Sequence, residues 1–335
     1  MAAMSLYGMT FNAFGAWAGS LIGHDARVHG PLYAQLMRHG CFAPSALALW
    51  PLLPESARAR LAAASPEVAL PGVVESQASL DEAGVATRKF VLRLHDGALV
   101  ESVLIPMQGG HHYTVCVSSQ VGCRMGCAFC HTARMGLVRN LRAEEIVGQV
   151  VAVSQACAAT VRNVVFMGMG EPLDNVEAVA TAVAILCERR GLALAPRHIT
   201  VSTVGRADGL ARWQELGLGA VNLAVSLGAA DDELRSALMP INRTVPLAAL
   251  KTTLLALPLP PRRRILVSYI VIPGVNDAPA QLERLVGWVQ GLRVLVNLIP
   301  YNPIPSRPWR APDATQMAAV RRACASKAPP GGSAP

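Results

Sequence analysis

Residues 113–130 read YTVCVSSQVGCRMGCAFC, a short apolar run followed at once by three closely spaced cysteines. The run at 113–119 is typical of a buried strand, and Cys123, Cys127 and Cys130 follow it in a CxxxCxxC spacing. Thiolates are soft ligands that suit iron–sulfur clusters and zinc. Structural zinc requires four ligands, usually as two CxxC pairs, and the sequence has no second pair. Three cysteines can bind three irons of a [4Fe–4S] cluster and leave one iron open, so a cluster is favoured over zinc and over unrelated thiols.

Strand-like runs continue along the chain and alternate with helical segments. The runs are YTVCVSS (113–119), RNVVFMG (162–168), HITVSTVG (198–205), AVNLAVSL (220–227), RILVSYIVIPGV (264–275) and RVLVNLIPYNP (293–303). Helical periodicity lies between them, at about 141–158, 176–189, 206–216, 231–257 and 278–291. Near-continuous apolar strands separated by helices predict an α/β fold with a parallel sheet covered by helices. Motif-like polar residues follow nearly every strand, as in barrel enzymes, so a partial parallel (β/α)6 TIM-like barrel is favoured over a doubly wound sheet.

Two smaller segments precede this core. Residues 1–83 are predicted to form a small N-terminal helical accessory domain, because helical periodicity broken by Pro runs to about residue 70 with no strand pattern. Two alternating runs split by Asp96 and Gly97 predict a β-hairpin extension at 84–112. The core is then expected at 113–310, and residues 311–335 form a shortened helix with a Pro/Gly/Ser-rich tail that is typical of disorder.

The composition limits the class of protein and the kind of partner. The 335 residues are 52% hydrophobic and 16% charged, which excludes a disordered chain. No apolar run reaches the roughly 18 residues of a membrane span, and no basic residue precedes Arg27, so we expect a cytoplasmic protein with no membrane segment. Thirty Lys and Arg against 22 Asp and Glu give a net charge of +8. This excess favours a nucleic-acid partner, while an arginine-rich genome composition remains the alternative explanation.

Five blocks of the sequence carry a family resemblance. They are CVSSQVGCRMGCAFCHTARMGLVRNLRAEEIVGQV, NVVFMGMGEPLDN, ITVSTVG, LAVSLGAADDELRSALMPINR and VNLIPYNP. In this order they resemble the RlmN/Cfr family of RNA adenosine methyltransferases, in the radical SAM superfamily, over about residues 84–310. The resemblance implies methylation of adenosine C2 in ribosomal RNA, with tRNA left open as a second substrate. It also implies a [4Fe–4S] cluster on the three cysteines, two molecules of S-adenosyl-L-methionine (SAM), and an electron donor such as flavodoxin or ferredoxin; a monomer is expected.

The resemblance assigns strand-end residues to SAM binding. Gly170 lets the backbone approach a ligand, and the Glu171 carboxylate suits an ammonium, so both are assigned to the amino group of SAM. A turn with a solvated glutamate is the alternative. Ser202 and Ser226 lie near strand ends, where their hydroxyls can bond ribose or carboxylate. A lone serine is more often a helix cap, which is the alternative for both.

The same comparison assigns Leu227, Gly228 and Asn302 to SAM binding. Asn302 follows the last strand, between Tyr301 and Pro303. The family usually has histidine at the position of Gly228, so only a backbone contact is expected there.

Two residues are implied to act on the RNA. Glu101, in the hairpin strand VESVLIP, matches the base that removes the adenine C2 proton; a solvent-facing strand residue is the alternative. Cys116 matches the cysteine that resolves a covalent protein–RNA adduct; a buried core thiol is the alternative. Basic positions that could contact RNA phosphates, or simply be solvated, are Arg88, Lys89, Arg139, Arg142, Arg243 and Arg262–Arg264.

The family mechanism also uses a C-terminal cysteine that carries a methyl group. The family's GDDIDAACGQ-like segment is not found after Asn302, and Cys324 is the remaining C-terminal thiol. Cys324 as a substitute methyl carrier is therefore left open. Two other functions are left open with it: a radical SAM enzyme that cleaves SAM for other chemistry, and a non-catalytic RNA-binding remnant without the methyl-carrying cysteine.

Overall fold

The computed structural model describes residues 5–23, 26–40, 42–47, 50–64, 70–80 and 86–326. The tail predicted to be disordered, from residue 327, lies outside them. The helices and strands are α1 (Phe11–Ile22), α2 (Ala26–His39), α3 (Glu55–Ala63), β1 (Gly72–Leu80), β2 (Ala86–Arg93), β3 (Leu99–Pro106), β4 (Tyr113–Cys116), β5 (Gln120–Cys123), β6 (Gly136–Asn140), α4 (Ala143–Ala156), β7 (Val161–Phe166), α5 (Val176–Cys187), β8 (Ile199–Thr203), α6 (Ala207–Glu215), β9 (Asn222–Ser226), α7 (Asp232–Leu238), α8 (Leu247–Leu255), β10 (Ile265–Val271), α9 (Pro279–Val289), β11 (Val294–Pro300) and α10 (Ala314–Ser326).

The chain divides into two compact units. The first comprises Met1–Val121, Arg139–Met169 and Glu177–Ile199, and the second comprises Gly122–Val138, Gly170–Val176 and Thr200–Pro335. No helix in the described ranges is both long and apolar enough to cross a membrane.

The first unit combines a helical N-terminus with a sheet. Phe14 on α1 and Tyr33 on α2 are both fully buried and meet edge to face, with ring centroids 5.1 Å apart. In the sheet, β1, β2, β3 and β4 pair antiparallel in that order, and β4 pairs with β7 in parallel. The predicted hairpin is confirmed as β2 and β3, and Gly97 in its turn has a φ of 85°, which favours glycine.

The predicted helical domain at 1–83 is wrong in its last part, because residues 72–80 form β1. Every residue of β1 is exposed, so its sequence GVVESQASL lacks the apolar alternation that indicates a strand. The strand forms because its backbone pairs with β2, from Gly72 opposite Arg93 to Leu80 opposite Ala86. Tertiary pairing, not local pattern, decides the conformation of this edge segment.

The second unit contains four parallel strands. β8 pairs with β9, β9 with β10 and β10 with β11, and helices α6, α7, α8 and α9 lie between them along the chain. Val225 and Val267, in neighbouring strands, are fully buried, as the apolar runs predict. Parallel strands all have their carboxyl ends at the same edge of the sheet, so the residues that follow the strands converge at that edge.

Candidate functional site

The three cysteines lie on the loop that begins at the end of β5. Cys123 and Cys127 are buried and Cys130 is half-buried. They pack with residues that follow the parallel strands of the second unit, namely Val204, Ala229, Ile272 and Tyr301. The cysteine loop therefore lies at the carboxyl edge of that sheet, where α/β enzymes bind their ligands.

Glycine is required where this loop leaves β5. Gly122 has a φ of 76°, and a Cβ atom there would lie 1.9 Å from the carbonyl oxygen of Gly136. Any other residue would collide with the backbone of β6 as well as take up a strained conformation. The close pairing of β5 and β6 at this point fixes where the cysteine loop begins.

The donor set fits an iron–sulfur cluster. Burial raises the pKa of Cys123 to about 11. Burial, followed by the charges of Cys130 and Cys123, raises the pKa of Cys127 far above its usual value, so the three thiols interact with one another. Across the residues described, no three Cys, His, Asp or Glu side chains converge as a single metal ion would require. A cluster is bound through separate irons, one cysteine each, so its ligands need not converge on one point.

Hydrogen bonds from the second unit hold the loop in place. The N–H of Ala128 donates to the carbonyl oxygen of Leu238 at 2.8 Å, and Arg307 donates to the carbonyl oxygen of Ala128 at 3.0 Å. Arg124 binds Asp174 with two nitrogens, its Nε at 2.8 Å from Oδ2. Both faces of the loop are thus attached to other segments of the same unit.

Glu171 is a buried carboxylate that organises the turn after β7. It is 2% exposed, and its oxygens accept hydrogen bonds from the N–H of Leu173 at 3.0 Å and the N–H of Val204 at 2.9 Å. Thr203 also bonds this carboxylate, and burial raises its pKa to about 7. The solvated-glutamate alternative is wrong.

Ser202 and Ser226 both lie near the carboxyl ends of their strands, β8 and β9, and are half-buried. The helix-cap alternative is wrong for both, since the residues that precede α6 and α7 are Arg206 and Asp231. Their hydroxyls therefore lie at the edge where the cysteine loop packs. Asn302 follows β11 and is exposed.

Leu227 and Gly228 form a tightly packed turn after β9. Gly228 has a φ of 70°, and a Cβ atom there would lie 2.5 Å from the Sδ of Met239. The carbonyl oxygen of Gly228 accepts a hydrogen bond from Asn276 at 2.8 Å, and that of Leu227 accepts one from Arg235 at 2.9 Å. The turn has no room for the histidine that the family usually carries at this position.

Glu101 and Cys116 lie in the first unit, on the same face of its sheet. Cys116 pairs with Val103, two residues along β3 from Glu101, so the two side chains project from the same side. Glu101 is exposed enough to form an ion pair with Lys89, with Nζ 3.0 Å from Oε1. Cys116 is buried, and burial raises its pKa to about 11.

A buried amide network joins the strands that carry these two residues. Gln149 on α4 is fully buried; its Oε1 accepts from the N–H of Ser118 at 2.8 Å and from the Ser102 hydroxyl at 2.9 Å. The Ser118 hydroxyl donates to the carbonyl oxygen of Glu101 at 2.6 Å. The network fixes β3 against the segment that follows Cys116.

Several predicted RNA-contacting cations already have partners. Arg139 binds both oxygens of Glu145 at 2.8 Å and also pairs with Asp96. Arg142 pairs with Glu144, and Arg263 donates to the carbonyl oxygen of Ala220. These contacts give Arg139 a structural role in the first unit.

Sequence reasoning missed Arg235, Gln149 and Asn276. Each is a fully buried polar side chain. A weak signal existed for Arg235, because it lies three residues before Leu238 and therefore on the buried face of α7. Nothing local distinguishes the other two from exposed polar residues.

Comparisons with known proteins agree with this arrangement. A family model described as the radical SAM superfamily matches residues 117–286. The chain is 46% identical to the dual-specificity RNA methyltransferase RlmN of Syntrophobacter fumaroxidans, over 72% of this chain and 70% of that protein. It is 39% identical to the RlmN of Sorangium cellulosum, over 91% of this chain and 86% of that protein.

A solved structure is similar over nearly the whole chain. It is a radical SAM methyltransferase from Sphaerobacter thermophilus, 35% identical, with a TM-score of 0.81 over 97% of this chain and 93% of that one. The match confirms the predicted α/β fold of the partial parallel barrel class.

Proposed function

Because the chain belongs to the radical SAM superfamily and, within it, to the RlmN family, we propose that it methylates C2 of an adenosine in ribosomal RNA. Membership implies a [4Fe–4S] cluster and SAM. The observation that carries the proposal is the meeting of three cysteines with the strand ends of one parallel sheet. The names of the relatives support RNA as the substrate, with tRNA as a further one, and the net charge of +8 is compatible with either.

Each candidate residue has a role in this proposal. Cys123, Cys127 and Cys130 would hold the cluster. Gly170 and Glu171 would bind the amino group of SAM, the latter through its buried carboxylate. When bound, the cluster and SAM together supply the electron and the organic radical that make the methyl group reactive.

The strand-end residues would hold the rest of SAM. Ser202 and Ser226 offer hydroxyls, Asn302 an exposed amide, and Leu227 and Gly228 backbone atoms only. Because the carbonyl oxygens of Leu227 and Gly228 already accept bonds from Arg235 and Asn276, they have less acceptor capacity left for SAM.

Glu101 and Cys116 would act on the RNA. A partly exposed carboxylate whose ion-pair partner among the described residues is a lysine can release that partner and accept a proton from adenine C2. The Cys116 thiol, whose pKa burial raises to about 11, would then lose its proton and attack the sulfur of the methyl-carrying cysteine, so that a disulfide forms as the carbon–sulfur bond to the product breaks. Both face the same side of the sheet, as two groups that serve one base require.

Cys324 is the candidate methyl carrier. It lies on α10, half-buried, and burial raises its pKa. Cys187 on α5 is also half-buried with a pKa raised by burial, and provides a matched control thiol with no proposed role.

The test is anaerobic incubation of the reconstituted protein with SAM, a reductant and ribosomal RNA, followed by mass spectrometry of the digested RNA. We expect 2-methyladenosine, its loss in Glu101→Gln and Cys116→Ala, and its retention in Cys187→Ala. Loss in Cys324→Ala would identify the carrier. Failure of the wild-type protein to methylate RNA while SAM is cleaved would refute the proposal.

A second candidate function follows from Gly228. A radical SAM enzyme with other chemistry is favoured by the glycine that replaces the family's histidine, and it predicts deoxyadenosine without RNA methylation. A non-catalytic RNA-binding protein predicts no SAM cleavage, and any cleavage that Cys127→Ala abolishes would exclude it. We further propose a cytoplasmic monomer with flavodoxin or ferredoxin as its electron donor; the RNA named as the substrate of the relatives supports the location.

A further inference from the structure

Arg235 is a fully buried cation in the second unit. It lies on α7, has no exposed surface, and is the largest fully buried side chain among the described residues. Burial lowers its pKa to about 10, so the guanidinium still carries its charge at neutral pH. No step of the proposed reaction uses it.

Every hydrogen bond recorded for this guanidinium ends on a neutral oxygen. Its Nε donates to the carbonyl oxygen of Leu227 at 2.9 Å, and Nη2 donates to that of Val204 at 2.9 Å. Nη1 donates to the Oδ1 of Asn242 at 2.8 Å and to the carbonyl oxygen of Val245 at 3.3 Å. Within the described part of the chain, no carboxylate lies at ion-pair distance from it.

Such an arrangement is costly unless a negative charge lies nearby. Taking an ion out of water is strongly unfavourable, and an opposite charge nearby offsets part of that cost. Two groups that are negative in their charged form influence Arg235 from beyond hydrogen-bond range, the Cys127 thiol and the Asp232 carboxylate. Asp232 is exposed, and it already accepts bonds from Asn242 and from the N–H of Leu247, so water and these donors screen its charge.

The cysteine loop packs against α7 in the interior of the second unit. Leu234 and Leu238, on either side of Arg235, pack in the same cluster as Cys123 and Cys127. The N–H of Ala128 donates to the carbonyl oxygen of Leu238 at 2.8 Å, which joins the loop to the end of the helix. When the cysteines are thiolates, they place negative charge in the same water-excluded interior as the guanidinium.

We propose that Arg235 is the buried countercharge of the iron–sulfur cluster, and that it makes the cluster easier to reduce while fastening the strand ends at Val204 and Leu227. The inference rests on the proposed assignment of the three cysteines as cluster ligands. Reduction adds one negative charge to an anionic group, so a nearby fixed cation stabilises the reduced form more than the oxidised form. Arg235 is a positioning residue in this role, since it touches neither SAM nor RNA.

The two functions of Arg235 can be separated by substitution. Arg235→Gln removes the charge and keeps a polar side chain, whereas Arg235→Lys keeps the charge and loses the fork that binds several carbonyl oxygens. Arg212→Gln is the matched control, because it changes the net charge equally at an exposed position on α6, where Arg212 pairs with Glu215.

The measurement is a potentiometric titration of the anaerobically reconstituted, cluster-loaded enzyme, with the reduced cluster quantified by electron paramagnetic resonance. We expect Arg235→Gln to lower the equilibrium constant for reduction by about tenfold, which is about 59 mV more negative for a one-electron couple. Arg235→Lys should shift it much less, and Arg212→Gln should not shift it. Equal potentials for Arg235→Gln and wild type, at equal iron content, would overturn the proposal.

A second variant covers the case in which Arg235→Gln does not fold. Asn242→Asp combined with Asp232→Asn keeps the net charge and places a carboxylate 2.8 Å from Nη1 of Arg235, where it competes with the cluster for the positive charge. The second substitution prevents two carboxylates from facing each other at 2.9 Å. The potential should again become more negative, and an unchanged potential would contradict the inference.

The readout uses neither RNA nor methyl transfer. A wild-type enzyme that reduces its cluster but methylates no RNA would refute the proposed function and leave the comparison of potentials intact. Unchanged potentials together with normal methylation would refute the role of Arg235 alone.

Discussion

Replacement of Gly228 by alanine should destabilise the second unit, and the structure separates the free-energy cost into a backbone contribution and a packing contribution. Gly228 has a φ of 70°, and its missing Cβ would lie 2.5 Å from the Sδ and 3.2 Å from the Cγ of Met239. Met239 is fully buried, so its thioether cannot move into solvent. The substitution therefore meets both a backbone penalty and a collision.

The two parts have different sizes. An alanine in the left-handed region costs about 1–2 kcal/mol. Forcing one more methyl group into a packed core costs about 1–3 kcal/mol more. We expect Gly228→Ala to lower the free energy of unfolding by about 2–5 kcal/mol in total.

Gly217 provides the matched control. It also has a φ of 70°, but nothing lies within 4 Å of the Cβ that alanine would add. Gly217→Ala should cost only the backbone part, about 1–2 kcal/mol. Any effect of the substitution on the unfolded chain is common to both variants and cancels in their difference.

The assay is anaerobic urea unfolding of the cluster-loaded protein, followed by tryptophan fluorescence and circular dichroism. With a slope of about 3 kcal/mol per molar urea, Gly228→Ala should unfold at a midpoint about 0.3–1 M below that of Gly217→Ala. Midpoints that agree within about 0.1 M would show that Met239 does not restrict the side chain at position 228. The packing explanation for glycine in place of the family's histidine would then be wrong.

Three further perturbations test the contacts around the candidate site. Gln149→Leu leaves the N–H and carbonyl oxygen of Ser118 without their buried partners. It should lower the free energy of unfolding, measured by urea titration, by about 2–5 kcal/mol. A change below about 1 kcal/mol would exclude the network. The hydrogen bond from Arg139 lowers the pKa of Asp96 from 3.8 to about 2. The stability that this ion pair provides at higher pH should therefore fall as the pH drops through this range, by less than about 1 kcal/mol after solvent screening. Asp96→Asn should remove this pH dependence. Asp174→Asn weakens the bidentate contact with Arg124 that holds the cysteine loop. It should lower the free energy of unfolding by about 1–3 kcal/mol and reduce the iron bound per chain after reconstitution. Unchanged iron content and stability would contradict this role.

Most of the core could be predicted from local pattern. The run at 162–168 covers all of β7 but its first residue, the run at 264–275 contains β10, and the helical periodicity at 141–158 contains α4. These predictions succeeded because strands buried on both faces are apolar along their whole length. β1 was missed because an exposed edge strand leaves no such pattern.

The candidate site also has features that the sequence predicted and features that it did not. Spacing and resemblance indicated the cysteine loop and the strand-end serines, and the structure brings these together in the second unit. That Glu171 is buried and bonded to Leu173 and Val204 was not predictable, since its two backbone donors lie 2 and 33 residues away along the chain. Local pattern carries no information about a partner at such a distance.

The sequence by itself determined most of the strands and helices of the core, though not β1, β5 or β6. It also determined the hairpin turn at Asp96 and Gly97 and the spacing of three thiols suited to a cluster. Each of these is set by periodicity, by turn chemistry or by ligand type over a few residues. Only the tertiary structure decided which polar groups are buried, and with which partners. Arg235 shows the reason most clearly: its partners Leu227, Asn242 and Val204 lie on three separate segments, and folding alone brings their carbonyl oxygens around one charge.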